Sequence, residues 1–209
     1  MKPKTVHDMI HRLIKINNQG RFNKNNLKEI LNNVALTSDI GTTDSSMHFQ
    51  ISDMMDMHSQ LNIFAIPTYE WLEQLSYYIK NQRVLEIGAG TGIISAILRT
   101  FNIDITPIDN FARAINPLID VVYADGIEYI ERHQNDYDVL LGCWPEMDNT
   151  FKTACDAFGE KEIYYVGEWE GGCTVDDEFF NDYDCINVPG INYPQFFGMH
   201  DDVFRVVKK

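Results

Sequence analysis

Apolar residues recur at helical spacing in the first third of the chain, and short continuous apolar runs broken by glycine or aspartate dominate the rest. Val6, Met9, Ile10, Leu13 and Ile14 mark one face of an amphipathic helix over residues 5–18, ended by Asn17-Asn18-Gln19-Gly20. Leu27, Ile30, Leu31 and Val34 predict a second helix. Residues 37–58 then turn polar. Gly41-Thr42-Thr43-Asp44-Ser45-Ser46 reads as a loop. Met47, Met54, Met55 and Met57, interleaved with His48, Phe49 and His58, read as a connecting segment or a soft apolar cover. Thr68 is placed to cap a helix whose buried face is Trp71, Leu72, Leu75 and Ile79.

Beyond residue 80 the pattern changes to strand, turn and helix. Val84, Leu85 and Ile87 form a buried strand, Gly88, Gly90 and Gly92 a tight turn, and Ile93, Ile94, Ile97, Leu98 and Phe101 a helix face. That is the first βα unit of an open parallel sheet, and ligands of such sheets bind at the carboxyl ends of the strands. Further strands are predicted at residues 103–108, 121–124, 137–142, 163–166, 183–188 and 203–207, with helices after Asp125 and through Met147, Phe151, Ala154, Cys155 and Phe158.

Glycine spacing then narrows the ligand. The dinucleotide fingerprint G-x-G-x-x-G needs its third glycine where Ile93 stands. The pattern here is E-x-G-x-G-x-G, through Glu86, Gly88, Gly90 and Gly92. It resembles motif I of the class I methyltransferases, which bind S-adenosylmethionine (SAM). The resemblance implies a Rossmann-like, seven-stranded, mostly parallel α/β sheet with an antiparallel final hairpin. It assigns residues 61–209 to a SAM-binding domain and residues 1–60 to an N-terminal helical extension or lid.

Within that frame Glu86, Gly88, Ala89, Gly90 and Gly92 are expected to hold the cofactor. Asp109, 21 positions after Gly88 at the end of the second strand, is suited to accept hydrogen bonds from both ribose hydroxyls. Asp125 and Gly126 stand where this class bonds the adenine amine, and Asp125 is equally suited to cap the next helix. Cys143 lies at the motif IV position, among the cofactor contacts. Thr68 and Tyr69 stand near the methionine end.

Further strings, Ala65-Ile66-Pro67-Thr68, Cys143-Trp144-Pro145, Tyr165-Val166-Gly167-Glu168, Gly171-Gly172-Cys173-Thr174 and His200-Asp201, resemble a narrower group of methyltransferase-like proteins. The group's motif IV reads Cys/Ser-Trp-Pro-Pro, and Glu146 replaces the second proline. This resemblance implies fold and cofactor and is silent on the acceptor. Glu146, Trp144 and His200 are the candidate catalytic residues: Glu146 or His200 as base, Trp144 as a stacking platform. Glu168 is a further acidic candidate, since Gly167 to Asp177 read as the lining of a pocket.

The expected activity is methyl transfer from SAM to a small molecule or to an accessible amine or hydroxyl, on a small or a protein substrate. The alternative is a methyltransferase fold used as a binding or inhibitory module; chemistry at another bond of SAM is a third possibility. The net charge of −14 argues against a broad grip on duplex nucleic acid. No apolar run reaches membrane-span length, and the start lacks the apolar stretch of a secretory signal. Cys143, Cys155, Cys173 and Cys185 show no zinc spacing, so no metal ligand is assigned, and free thiols fit a cytoplasmic protein. The sequence implies no particular oligomeric state.

Overall fold

The computed structural model describes residues 2–35, 51–113, 115–169, 172–195 and 198–209. Its elements run α1 (Val6–Asn18), α2 (Leu27–Val34), α3 (Ile51–Leu61), α4 (Tyr69–Ile79), β1 (Arg83–Ile87), α5 (Ile93–Thr100), β2 (Asp104–Asp109) and β3 (Val122–Tyr123). They continue as α6 (Gly126–His133), β4 (Val139–Cys143), α7 (Thr150–Phe158), β5 (Glu162–Glu168), α8 (Asp177–Asp182), β6 (Tyr183–Asn187) and β7 (Asp201–Lys208).

The sheet order is β3-β2-β1-β4-β5-β7-β6. All pairings are parallel except those of β7, which runs antiparallel to both β5 and β6. This is the seven-stranded arrangement expected for the class I methyltransferase fold. From β1 the chain winds outward to β3, then returns to β4 on the other side of β1. The order therefore reverses between β1 and β4, and the crevice at such a switch point is where open sheets take ligands.

Strand residues alternate between two cores, as period-2 side chains in a sheet buried on both faces must. Val84, Leu141, Tyr164 and Val166 face one cluster; Leu85, Leu140, Ile163 and Tyr165 face the other. The first cluster also contains Val6, Met9, Ile10 and Leu13 of α1, Met57 and Leu61 of α3, and Trp71 and Leu75 of α4. The N-terminal helices thus share one core with the sheet.

Three expectations need correction. Residues 51–61 are helical, because Met54, Met57 and Leu61 recur at helical spacing and pack against α1; polar residues between them disguise the period. The expected loop at 41–46, with Met47, His48 and Phe49, lies outside the described residues. Gly167 and Glu168 belong to β5, paired with Asp202 and Asp201 of β7, and do not lie beyond the strand's end. Met147 is exposed ahead of α7 and not on its buried face. The sequence also leaves α8 unnoticed, although Asp176 caps it by accepting from the Phe179 N–H at 3.1 Å. Among the described residues, no helix is long and apolar enough to cross a membrane.

Candidate functional site

The turn after β1 needs its glycines for two different reasons. Gly88, Gly90 and Gly92 all have positive φ, at 62°, 54° and 73°. A Cβ on Gly92 would sit 2.7 Å from Ile119 and 2.9 Å from Val121, so that position is a packing glycine. A Cβ on Gly88 would meet nothing within 4 Å, so the backbone there faces open space.

The turn is tied to the end of β2. The Ala89 N–H donates to the Ile108 carbonyl at 3.0 Å. The Gly90 N–H donates to Asp109 Oδ2 at 2.8 Å, and the Phe111 N–H to Asp109 Oδ1 at 2.6 Å. An ionised carboxylate has about four acceptor positions, so these bonds leave capacity for hydroxyl donors. Glu86 lies beneath the turn, buried, and accepts from the Ser95 hydroxyl. Burial pushes its carboxyl up to about 7 against the opposing pull of Ser95 and Arg99.

Asp125 caps α6, accepting from the Ile127 and Glu128 N–H groups at 3.0 Å each, so the helix-cap role holds. Gly126 stands beside Ile87, in contact range of its side chain. Cys143 closes β4 and keeps its proton, since burial, and then the nearby Glu86, pushes the thiol well up. Thr68 is buried at the start of α4 without a side-chain capping bond, and Tyr69 packs edge-on against Phe101.

Trp144 follows β4 with φ of 53°, an unusual backbone for a bulky residue. Its N–H donates to the Val166 carbonyl at 2.7 Å and its indole N–H to Asp201 Oδ2 at 3.0 Å. Its ring meets His58 edge-on at 5.0 Å and lies near parallel to Phe64 at 6.4 Å. The Arg113 guanidinium covers the other aromatic, 4.9 Å from the Phe64 centroid, and binds Glu146 at 2.9 Å. Glu146 is therefore an exposed ion-pair partner on the rim.

His58, Phe64, Arg113 and Asp201 join Trp144 and Glu146 only through tertiary contact. His58 is half-buried, and burial, with a smaller push from Arg113, lowers its pKa despite the Phe64 carbonyl 3.3 Å from Nε2. Asp201 is buried, and burial pushes it up to about 7 against the indole bond. His200 is exposed; its backbone N–H reaches Glu168 Oε1 at 3.4 Å.

Glu168 faces its own loop. Its Oε2 accepts from the Cys173 N–H, and its backbone N–H donates to Thr174 Oγ1 at 3.0 Å. The Tyr165 hydroxyl pairs with Thr174 and donates to the Glu168 carbonyl at 2.8 Å. The Gly-Cys-Thr end of that motif is thus a clasp around β5. A Cβ on Gly172 would overlap Glu168 Cβ. Gly172→Ala is therefore expected to cost about 1–3 kcal/mol of stability, read by urea denaturation; an unchanged midpoint would mean the loop moves freely.

No family model matches the chain. No curated protein matches it by sequence. Some solved structures are similar to it, at low identity and with TM-scores below 0.5. A SAM-dependent methyltransferase from Archaeoglobus fulgidus is 15% identical with a TM-score of 0.44, covering 68% of this chain and 92% of its own. The Burkholderia thailandensis 1,6-didemethyltoxoflavin-N1-methyltransferase, with bound 1,6-didemethyltoxoflavin and S-adenosylhomocysteine, is 14% identical with a TM-score of 0.45, covering 76% and 84%. A mutant of MtNAS is 12% identical with a TM-score of 0.46, covering 95% and 75%. The fold assignment stands on the strand order itself.

Proposed function

We propose that the chain binds SAM at the turn after β1 and transfers its methyl group to a small molecule or to an accessible amine or hydroxyl. The observation that carries this reading is the link between Gly90 and Asp109, which sets a carboxylate beside an open glycine turn at the topological switch point. The residues fit such a ligand. Gly88 leaves room against the backbone, and Asp109 keeps lone pairs for ribose hydroxyls. Asp125 and Gly126 would border the adenine, Cys143 would form an apolar wall, and Glu86 would add negative charge beneath a cationic ligand.

When bound, SAM supplies the methyl group and an excellent leaving group. The chain then has to orient the acceptor, exclude water and hold a proton. Trp144 would offer a flat face for the acceptor, while Phe64 is already covered by the Arg113 guanidinium. His58 is well suited as a base because burial favours its neutral form. A carbonyl can only accept, so Nε2 facing Phe64 carries the proton and Nδ1 keeps its lone pair. Glu146 and His200 remain the exposed alternatives, with Glu146 engaged by Arg113.

The test is a thermal shift with SAM and with S-adenosylhomocysteine. Ligand at about 100 times its Kd adds roughly 2.7 kcal/mol, a rise on the order of 5–10 °C for a chain of this size. Asp109→Ala and Gly90→Val are expected to abolish it. No shift with either ligand overturns the proposal. One observation favours a second reading, a binding module without transfer: Glu146, at the motif IV position, is already engaged by Arg113. Turnover of labelled SAM into any methylated acceptor eliminates that reading.

A further inference from the structure

Helix α1 carries two histidines one turn apart, His7 and His11, which places both rings on the same face. That face meets the first turn of α3, where Asp53 is buried although it bears a carboxylate. His7 Nδ1 lies 3.0 Å from each Asp53 oxygen, and His11 Nε2 lies 3.5 Å from Oδ1. The two imidazole centroids are 4.2 Å apart, and one donor atom from each of the three residues falls within 4.8 Å of the others.

We infer that His7, His11 and Asp53 form a binding site for a borderline divalent metal ion, Zn²⁺ being the best fit. Two imidazole nitrogens and one carboxylate oxygen are a donor set that zinc accepts in tetrahedral geometry, with a fourth position open to water. For metal–ligand bonds near 2.1 Å, the edge of such a tetrahedron is about 3.4 Å. The observed nitrogen–oxygen separations of 3.0 and 3.5 Å straddle that edge. The histidine side chains are 60% and 53% exposed, so their rings can close on an ion and leave the open position facing solvent.

Hydrogen bonding alone explains the cluster less completely. His7 Nδ1 stands equidistant from both carboxylate oxygens, while a second imidazole is held against the same group. A shared cation would take one donor atom from each of the three residues at once. The ion would pin α1 to α3 across 46 residues of sequence. Because both helices contribute to the core on the sheet face, it would stabilise the whole N-terminal layer. The site shares no residue with the proposed SAM pocket, so it stands or falls independently of that reading.

Chelator-treated full-length protein titrated with ZnCl₂ in a calorimeter is expected to bind one equivalent per chain, with a rise in Tm. Co²⁺ in place of zinc is expected to give the visible absorption of a tetrahedral site. His11→Ala, an exposed change that leaves the core intact, is expected to weaken binding by more than the roughly 10–100-fold that losing a second-shell partner costs. Asp53→Asn is expected to do the same, and His7→Ala/His11→Ala to remove binding altogether. No zinc heat and no Tm shift would overturn the inference. So would binding of several equivalents that the double variant leaves unchanged.

Discussion

Glu86→Gln is expected to stabilise the protein at pH 8 by up to about 3 kcal/mol while changing little near pH 4. Burial raises the folded-state carboxyl from 4.5 to about 7. Below the unfolded value both states hold the proton, and the group contributes nothing to the pH dependence. Between about 4.5 and 7 the unfolded chain releases the proton and the folded chain keeps it, so stability falls as pH rises. Above about 7 the penalty is complete and constant. Glutamine removes it while its carbonyl oxygen can still accept from Ser95, the hydrogen bond that Glu86 makes now. Asp156 does not mask the effect: with its pKa lowered to about 2, chiefly by Lys208, its contribution is lost below this window. Urea denaturation of both proteins from pH 4 to 8 is the measurement. Parallel profiles would mean that Glu86 is already ionised in the fold.

What the sequence makes legible follows from how locally each feature is encoded. The turn Gly88 to Gly92 and its neighbour Asp109 belong to one βαβ unit, where strand, glycine spacing and terminal acid are all written within a few dozen residues. The strands likewise follow from short apolar runs, whereas their order and the antiparallel last strand are implied by the motif I resemblance and not by the runs themselves. Contacts made by distant segments are different. His58 meets Trp144, and Trp144 meets Asp201, only after α3 and β7 have packed against the switch point. His7 and Asp53 come together across the α1–α3 contact, with no periodic signal joining them. Glu168 illustrates the opposite error. A carboxylate among glycines resembles a pocket rim, yet Gly172 makes room for the Glu168 side chain to fold back on the Cys173 N–H, and Gly167 for the pair of Tyr165 and Thr174. Local composition is the same in the two cases; only the hydrogen-bond partners distinguish a site from a clasp.

Trp144→Phe separates the two things the indole does. Phenylalanine keeps an aromatic face toward His58 and Phe64 but removes the one side-chain donor to Asp201 Oδ2 among the described residues. Oδ1 already has no hydrogen-bond partner among the described residues. The variant therefore leaves a buried carboxyl with neither oxygen bonded. At pH 8 the expected loss is about 1–3 kcal/mol, toward the upper end because the group is charged. Near pH 6 the loss is smaller. Asp201 already titrates at about 7 in the fold, raised by burial, so it is largely neutral there in both proteins. Losing the donor raises that value further, and the added penalty appears only above about 7, where the native carboxyl ionises and the variant's resists. Asp201→Asn supplies the control, since an amide does not titrate. In its background Trp144→Phe should cost the same at both pH values, and the double-mutant cycle should show a coupling that grows with pH. Equal losses at pH 6 and pH 8 in the Asp201 protein would show that the indole holds its place by packing alone.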